Sequence, residues 1–513
     1  MADEFQLGML DTERPHPLTV NLSKWAKEDL PQGFEVLREV DKQALEKLRQ
    51  TIPQWQALAS AIRRTLDRGD KVFLCGCGAT GRLSISLEVF ARQGLLKGAH
   101  TGNVIGFMAG GDTALIRSIE RFEDRPDYGA RQLADLGFSD GDLLISSTEG
   151  GETPFVIGAT EAAAAQSFED PWFLYCNPDE ILREHVERSR RVLDAPRIQK
   201  INLSVGPMAL SGSTRMQSST VLMAAIGFAM KHSENPEGIS ADFETWQNWV
   251  SNDLNWQQFA PFTESESAAY RKGDYVIYDP GAYGLTILTD TTERSPTFTL
   301  TPFERDGANE PASLSYLWIK GAKTSAEAWE KILHRAPNPV EWGDLRHLTS
   351  GEAMKAFDFS DSGHARRTQR VKTNHHEFAV SRGREGITLS FRGLVETIPV
   401  PEGIDFLGEN LALKMLMNAH STLIMGCLGR YEDNLMTYVS ANNFKLIDRS
   451  IRYVRLLLER HHQLQIPYRE VARVLLTEKE KLKPDEPIVL KTVDAILNRF
   501  VKVESAPHRS YSK

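Results

Sequence analysis

The chain has 513 residues, of which 41% are hydrophobic and 25% charged, as in a folded globular protein with more than one core. Its formal net charge of −9 argues against a nucleic-acid-binding surface, because such surfaces need a basic stripe. No apolar run has the length of a membrane span, and the N-terminus lacks the pattern of a signal peptide. The spacing of the four cysteines fits neither a redox pair nor a zinc site. We therefore expect a cytoplasmic protein with reduced thiols and no metal.

In chain order, a helical lead-in over 1–54 precedes an alternation of strands and helices. Short apolar segments at 71–75, 104–107, 142–147 and 172–176 end in Gly, Pro or Asn turns and are followed by helical patterns. Such a series predicts an α/β fold with a doubly wound parallel sheet. A second series begins at 274–278, and the polar stretch 360–376 within it is expected to be a surface excursion. The resulting prediction is one α/β domain over 55–250, a second over 251–430 and a C-terminal helical module over 431–513.

Two glycine-rich loops of the first half are candidates for binding a phosphate. Residues 76–81 match GxGxxG, but a dinucleotide site also needs an acid about 20 residues later, and 98–103 contain no Asp or Glu. The pattern therefore favours a sugar-phosphate loop. In the second loop, hydroxyls and backbone amides at the start of a helix can hold an anion, although Glu149 and Glu152 count against this unless their side chains point away from the ligand. The candidate residues of the two loops are Gly78, Ala79, Thr80, Thr148, Glu149, Gly150, Gly151 and Thr153.

The second half repeats the strand–turn–helix pattern, but it lacks the residues that the first half keeps and keeps a residue that the first half lacks. Its loop at 281–284 has lost the hydroxyl chemistry, whereas the helix that follows carries Glu293. The first half keeps its loops but has Phe90 at the matching helical position. This complementarity indicates an internal duplication in which one composite site survives.

These motifs resemble the sugar isomerase (SIS) fold, and specifically the branch that contains N-acetylmuramic acid 6-phosphate etherases and the animal glucokinase regulatory protein. Residues 76–82 are similar to the family's GxGTSGR loop, and 109–112 with 120–124 to its AGG(D/E)…EGxED segment. Residues 151–158 look like GxTPxVxG, 206–216 like GPE…TGS(S/T)RxK, and 290–297 like DASExPPT. Residues 414–422 and 434–449 follow the C-terminal helical signature, which includes Lys445 and Arg449.

The resemblance implies two doubly wound parallel-sheet SIS domains in tandem, fused as in the regulatory protein, plus a C-terminal helical module. It also implies that Glu123 is the base and Glu293 the acid of a lyase. Ser211 and Lys414 join the phosphate-binding residues, with Lys414 acting as a mobile point charge. The two carboxyl groups need pKa values moved apart by their surroundings. Neither a cofactor nor a metal is required.

The activity that the resemblance favours is cleavage of the lactyl ether of N-acetylmuramic acid 6-phosphate. One alternative is a non-catalytic regulator that senses fructose phosphates and has a sugar kinase as its partner. A further alternative is a phosphosugar aldose–ketose isomerase. All three imply a phosphorylated sugar or amino sugar as the ligand, and none implies nucleic acid or a membrane.

Overall fold

The computed structural model describes residues 7–96, 102–119 and 122–504, without the side chains of 500–504. Residues 98–101 and the pair Glu120 and Arg121 of the acidic segment therefore lie outside the described residues. The lead-in consists of short turns at Leu7–Met9, Asp11–Glu13 and Pro17–Thr19, followed by helices α1 (Leu22–Glu28), α2 (Leu30–Leu48) and α3 (Ile52–Asp67). Helix α2 begins where the Asp29 carboxylate accepts a hydrogen bond from the Gln32 amide at 3.1 Å, an N-cap that satisfies one end donor.

The first sheet contains five parallel strands, and each is followed by helices that cover its faces. The strands are β1 (Val72–Gly76), β2 (Val104–Met108), β3 (Leu143–Thr148), β4 (Trp172–Tyr175) and β5 (Gln199–Asn202). The helices are α4 (Ala79–Arg92), α5 (Pro126–Asp135), α6 (Pro154–Gln166), α7 (Asp179–His185), α8 (Glu187–Asp194), α9 (Gln217–Lys231) and α10 (Ile239–Asn248). All five residues of β1 and all six of β3 are buried, as expected for central strands covered on both faces.

The strand order of this sheet, β2-β1-β3-β4-β5, reverses direction between β1 and β3. Both neighbours of β1 run parallel to it, with Val72 opposite Val104 and Leu143. In open α/β sheets a ligand binds outside the carboxyl ends of the strands at such a reversal. The two predicted phosphate loops follow β1 and β3, so they meet at this point.

The second sheet is mixed and has the order β10-β9-β8-β6-β7. Its strands are β6 (Tyr275–Asp279), β7 (Ser315–Leu317), β8 (His375–Arg382), β9 (Gly386–Phe391) and β10 (Leu394–Pro399). Helices α11 (Ala260–Arg271), α12 (Gly284–Phe298), α13 (Ser325–Leu333), α14 (Arg346–Thr349), α15 (Gly351–Lys355), α16 (Asp361–Arg370) and α17 (Phe406–Cys427) accompany it.

The α/β class is confirmed, but the second sheet is not parallel throughout. Strands β7 and β8 pair with β6 in parallel, whereas β9 and β10 are added in antiparallel order. The reason is the connection: Arg392 and Gly393 have φ values of 49° and 85° and form a two-residue turn between β9 and β10. So short a link can join only antiparallel strands.

The stretch 360–376, expected to be a surface excursion, lies mostly at the surface, but it is regular structure. It forms α16 and the first residues of β8, which pairs directly with β6. Arg367 of α16 is only 5% exposed, and its guanidinium donates to Glu304 Oε1 at 2.7 Å. A buried ion pair thus occupies the place that apolar residues usually take.

The C-terminal module contains α18 (Phe444–His462), α19 (Tyr468–Lys479) and α20 (Ile488–Glu504), preceded by the two-residue strands β11 (Tyr431–Glu432) and β12 (Leu435–Met436). Its apolar faces join a hydrophobic core that is continuous with the N-terminal helices and both sheets. Within the described ranges, no helix combines the length and the apolar character needed to cross a membrane.

Candidate functional site

The loop after β1 has the backbone shape of an anion-binding turn. Gly78 caps α4 with φ 57° and ψ −123°, a conformation that is open almost only to glycine. The Thr80 hydroxyl accepts a hydrogen bond from the Cys77 amide at 3.0 Å and donates to the Cys77 carbonyl at 2.9 Å. Thr80 therefore fixes the loop from inside, and Ala79, half-buried as the first residue of α4, lies at the helix N-terminus.

The loop after β3 places two hydroxyls side by side. Thr148 Oγ1 and Thr153 Oγ1 lie 3.0 Å apart, and both residues are buried. The Gly150 carbonyl accepts a hydrogen bond from Asn177 Nδ2 at 3.0 Å, which turns that carbonyl away from the loop centre. Gly151 has φ 75°, and a Cβ there would lie 2.8 Å from Leu182. Helix α6 starts directly after Thr153 with Pro154, which has no amide hydrogen, so the hydroxyls and the loop amides are the nearer donors at this point.

Two carboxyl groups of this loop have pKa values moved in opposite directions. Burial, and to a smaller extent the nearby Glu293, raise the pKa of Glu149 to about 7, against lowering by a backbone hydrogen bond and by Lys445. Burial also acts to raise the pKa of Glu152, but Lys445 and Arg188 outweigh it and bring the value to about 2. Lys445 Nζ lies 3.0 Å from Glu152 Oε1. Glu152 is thus ionised, but its charge is balanced by Lys445 and Arg188. Glu149 is protonated in a large fraction of molecules near pH 7. Neither group therefore repels a phosphate as strongly as an unpaired carboxylate would.

Glu123 lies at the surface close to Lys445, in the segment before α5. Its side chain is 54% exposed and its carboxylate is 4.0 Å from Lys445 Nζ. The pKa of Glu123 is raised. The main cause is partial removal from water, and the negative charge of Glu152 adds to it, whereas the positive charge of Lys445 opposes it. The Glu123 carbonyl accepts a hydrogen bond from the Phe155 amide at 3.0 Å, which ties this segment to the first turn of α6.

Glu293 comes from α12 in the second half and is 4% exposed. Burial raises the pKa of its carboxyl group, although Arg82, Arg215 and Lys414 act in the opposite direction. Among the described residues, Glu293 Oε2 is buried without a hydrogen-bond partner. A buried carboxyl oxygen without a partner is costly, and a ligand that donates or accepts a proton there would satisfy it.

The carboxyl groups of the two halves meet around Glu149. Its pKa is raised by Glu293 from the second half and by Glu123 from the first. Helix α12 packs on α4, and Arg82 of α4 feels the charges of Glu293 and Glu149. The predicted acid and the predicted base therefore both lie close enough to the β3 loop to affect the charge state of Glu149.

Lys414 is close to Glu293 but is held firmly by protein groups. Its ammonium donates to the Arg215 carbonyl at 2.9 Å, to Thr220 Oγ1 at 2.9 Å and to Asn418 Oδ1 at 3.0 Å. Burial lowers the pKa of Lys414 to about 8, against an opposing effect of Glu293. Since its three N–H groups are engaged, Lys414 acts as a fixed charge beneath the site and not as the mobile point charge that we expected.

Ser211 is fully buried, and its hydroxyl donates to the Glu13 carbonyl at 2.8 Å. The Glu13 carboxylate in turn receives two hydrogen bonds from Arg449, one of them from Nε at 2.9 Å. Burial opposes ionisation, but Arg449 and Arg452 lower the pKa of Glu13 to about 2. Ser211 thus anchors the N-terminal segment against the C-terminal helix α18.

Glu88, two residues before Phe90 on α4, is paired away from the β1 loop. Glu88 is fully buried and forms ion pairs with Arg92 at 2.9 Å and with Arg335 at 2.8 Å. At the loop 281–284 of the second half lies a cavity of about 480 Å³ whose wall includes Phe90, Ile332 and Phe406. The residue of α4 beside the loop 281–284 is therefore the aromatic Phe90. At the matching position, α12 carries Glu293.

The residues predicted for the site from the sequence did not include Lys445 and Glu152. Lys445 approaches Glu152 and Glu123 although it is more than 290 residues away from them in sequence. The signal that could have found it was its place in the C-terminal helical signature beside Arg449. Arg82, the last residue of the GxGTSGR-like loop, was likewise quoted but not assigned to the site.

Parts of the chain are similar to known proteins. Residues 56–164 match the family described as the glucokinase regulatory protein N-terminal SIS domain. The chain is 34% identical over 222 residues to the N-acetylmuramic acid 6-phosphate etherase of Rippkaea orientalis and 31% identical over 214 residues to that of Salmonella agona. These alignments cover 43% and 42% of this chain and 66% of each relative, just under two thirds of its length.

Among solved structures, a putative phosphosugar isomerase from Silicibacter pomeroyi aligns with a TM-score of 0.43 and 14% identity. That alignment covers 79% of this chain and 99% of the other.

Proposed function

We propose, from the premise that the chain belongs to the SIS family of N-acetylmuramic acid 6-phosphate etherases and glucokinase regulatory protein, that it is a cofactor-independent lyase. Its substrate in this proposal is N-acetylmuramic acid 6-phosphate, and the bond that it cleaves is the lactyl ether. The observation that carries the proposal is the meeting of Glu123 and Glu293, one from each half, around the phosphate loop at Glu149.

The chemistry needs a base and an acid on the same sugar. Glu123, at the open mouth of the cleft and 4.0 Å from Lys445, removes the proton from the carbon next to the sugar carbonyl. The electron pair forms a carbon–carbon double bond and expels the lactate oxygen, which takes a proton from Glu293. Burial raises the pKa of Glu293 and so keeps that proton available. Addition of water to the double bond then gives the 3-hydroxy sugar phosphate.

The phosphate is bound by the first half alone. Its oxygens accept hydrogen bonds from the hydroxyls of Thr148 and Thr153 and from the amides of Gly150 and Gly151. Ion pairing of Glu152 with Lys445 and Arg188 removes the charge that would oppose this binding. We also propose the domain limits 55–250, 251–430 and 431–513. With these limits the two phosphate loops belong to the first unit and Glu293 belongs to the second.

The direct test is an enzymatic assay for lactate released from N-acetylmuramic acid 6-phosphate by the purified chain. We expect turnover without added metal or cofactor, and a loss of at least about 100-fold in kcat for Glu123→Gln, the range that removal of a general base produces. Phosphate affinity should stay nearly unchanged in that variant, because the loops bind the ground state. Wild-type protein that binds the substrate but releases no lactate would refute the lyase proposal.

The second candidate function is a non-catalytic regulator. The match of 56–164 to the glucokinase regulatory protein domain favours it, as does the fusion of two α/β units in one chain. In this alternative, fructose phosphates bind in the same cleft and a sugar kinase is the partner. Kinase binding that responds to fructose phosphate, together with no lactate release, would favour the regulator. For both functions we propose a cytoplasmic location, which suits the four free cysteines.

A further inference from the structure

A segment of the second half crosses onto the first half close to the loop that carries Glu123. We call residues 334–342 the crossing segment; it leaves the end of α13 and runs over α4 and α5. Arg335 anchors its start, with hydrogen bonds to both carboxylate oxygens of Glu88 at 2.8 Å and to Asp112 at 2.5 Å. The Asn338 amide also donates to Asp112 at 2.6 Å.

The far end of the crossing segment is Trp342, which is 9% exposed. Its indole stacks on the ring of Phe122, with 5.6 Å between centroids and 19° between planes. It meets the ring of Tyr128 edge-on at 5.2 Å, and its Nε1 donates to Asp135 at 2.6 Å. The Arg131 guanidinium lies 4.3 Å from the indole centroid. The indole is therefore held by ring contacts, by the Arg131 guanidinium and by the hydrogen bond of its Nε1.

Phe122 is the residue directly before Glu123, so this stack bears on the position of the base. The segment 122–125 has no regular secondary structure of its own. Its contacts include the hydrogen bond from the Phe155 amide to the Glu123 carbonyl, the approach of Lys445 to the Glu123 carboxylate, and the ring of Trp342 on Phe122. Loss of the Trp342 ring would leave a gap beside Phe122, and a shift of Phe122 into that gap would displace Glu123.

We propose that Trp342 is a positioning residue that the second half supplies to fix the Glu123 segment in its reactive place. This rests on the lyase activity proposed above. The second half then contributes twice to the site: Glu293 as the acid, and Trp342 as the support of the base. Trp342 touches neither the substrate nor the reacting atoms, so its effect should appear in kcat and leave KM nearly unchanged.

The test compares Trp342→Ala, Trp342→Leu and Trp342→Phe with a matched control, Trp318→Ala. Trp318 also stacks on a partner, His364, but in the second half and away from the cleft. We expect kcat for lactate release to fall by about 10- to 100-fold in Trp342→Ala, as small misplacements of a catalytic group do. Trp342→Phe, which keeps an aromatic stack on Phe122, should restore most of that loss. Trp342→Leu replaces the Ala variant if the latter does not fold.

A second readout separates this proposal from the activity itself. Amide hydrogen exchange of residues 122–129 should speed up in Trp342→Ala, because the amides of Phe122, Arg125 and Tyr128 bond only within this segment and its neighbour Ile119. Exchange at 148–157 should not change. If wild-type protein releases no lactate, the lyase proposal fails while exchange still decides the positioning proposal. Unchanged exchange at 122–129, or a KM that rises as much as kcat falls, would overturn it.

Discussion

Substitution of Glu149 by Gln should stabilise the protein, and by an amount that depends on pH. The Glu149 side chain is buried, and burial with the neighbouring Glu293 raises its pKa from 4.5 to about 7. Between these two values the unfolded chain ionises this group while the folded protein keeps it protonated. The unfolded state then binds fewer protons, so the stability of the wild type falls as pH rises.

The size of the effect follows from the shift. At about 1.4 kcal/mol per pKa unit, the rise from 4.5 to about 7 costs the folded state about 3 kcal/mol above pH 7 and nothing well below pH 4.5. Glutamine has no proton to lose and escapes this cost. Glu149→Gln should therefore exceed the wild type by about 3 kcal/mol at pH 8 and by less than about 1 kcal/mol at pH 5.

Urea denaturation followed by tryptophan fluorescence at the two pH values measures the difference. Glu152→Gln is the matched control, three residues away in the same loop. Because Lys445 and Arg188 lower the pKa of Glu152 to about 2, its charge stabilises the folded state above pH 4.5. Its loss should destabilise the protein by about 3 kcal/mol at both pH 5 and pH 8. A difference between Glu149→Gln and the wild type that is the same at both pH values would refute the reasoning.

Three further predictions concern the neighbours of the cleft. Lys445→Met removes the cation that lowers the pKa of Glu123, so the acid limb of the kcat/KM profile should move to higher pH; an unmoved limb would separate the two residues. Arg335→Met leaves the buried carboxylate of Glu88 with Arg92 as its remaining ion-pair partner. The free energy of unfolding from urea titrations should fall by about 3 kcal/mol, and a loss below about 1 kcal/mol would contradict this prediction. Gly78→Ala forces a side chain into φ 57° at a strain of about 1–3 kcal/mol and should raise KM for the sugar phosphate; an unchanged KM would dismiss the loop as a binding element.

The first half was predictable because its signals are local. The apolar run of β1, the positive-φ Gly78 and the start of α4 follow one another within ten residues, and the same holds for β3 and Thr153. The pairing of Glu123 with Glu293 could also be proposed from sequence. It rests on the resemblance to the SIS family, which implies the two roles, and on the complementary losses between two copies of one motif; both compare residues and need no coordinates.

The remaining features depend on contacts between distant segments. Nothing near Lys414 in sequence indicates that Thr220 and the Arg215 carbonyl engage its ammonium. Nor does the polarity of 360–376 reveal that Arg367 of α16 is buried against Glu304. In each case a charge was judged by its residue type, whereas its role is set by a partner supplied by the fold.

The central claim is that Glu123 and Glu293 act as base and acid in one site built from both halves. Its most direct measurement follows N-acetylmuramic acid 6-phosphate in deuterium oxide, recording by NMR both lactate release and exchange of the hydrogen next to the sugar carbonyl. Wild-type protein should do both, Glu293→Gln should exchange the hydrogen but release little lactate, and Glu123→Gln should do neither. Undiminished exchange in Glu123→Gln, or undiminished lactate release in Glu293→Gln, would contradict the composite site.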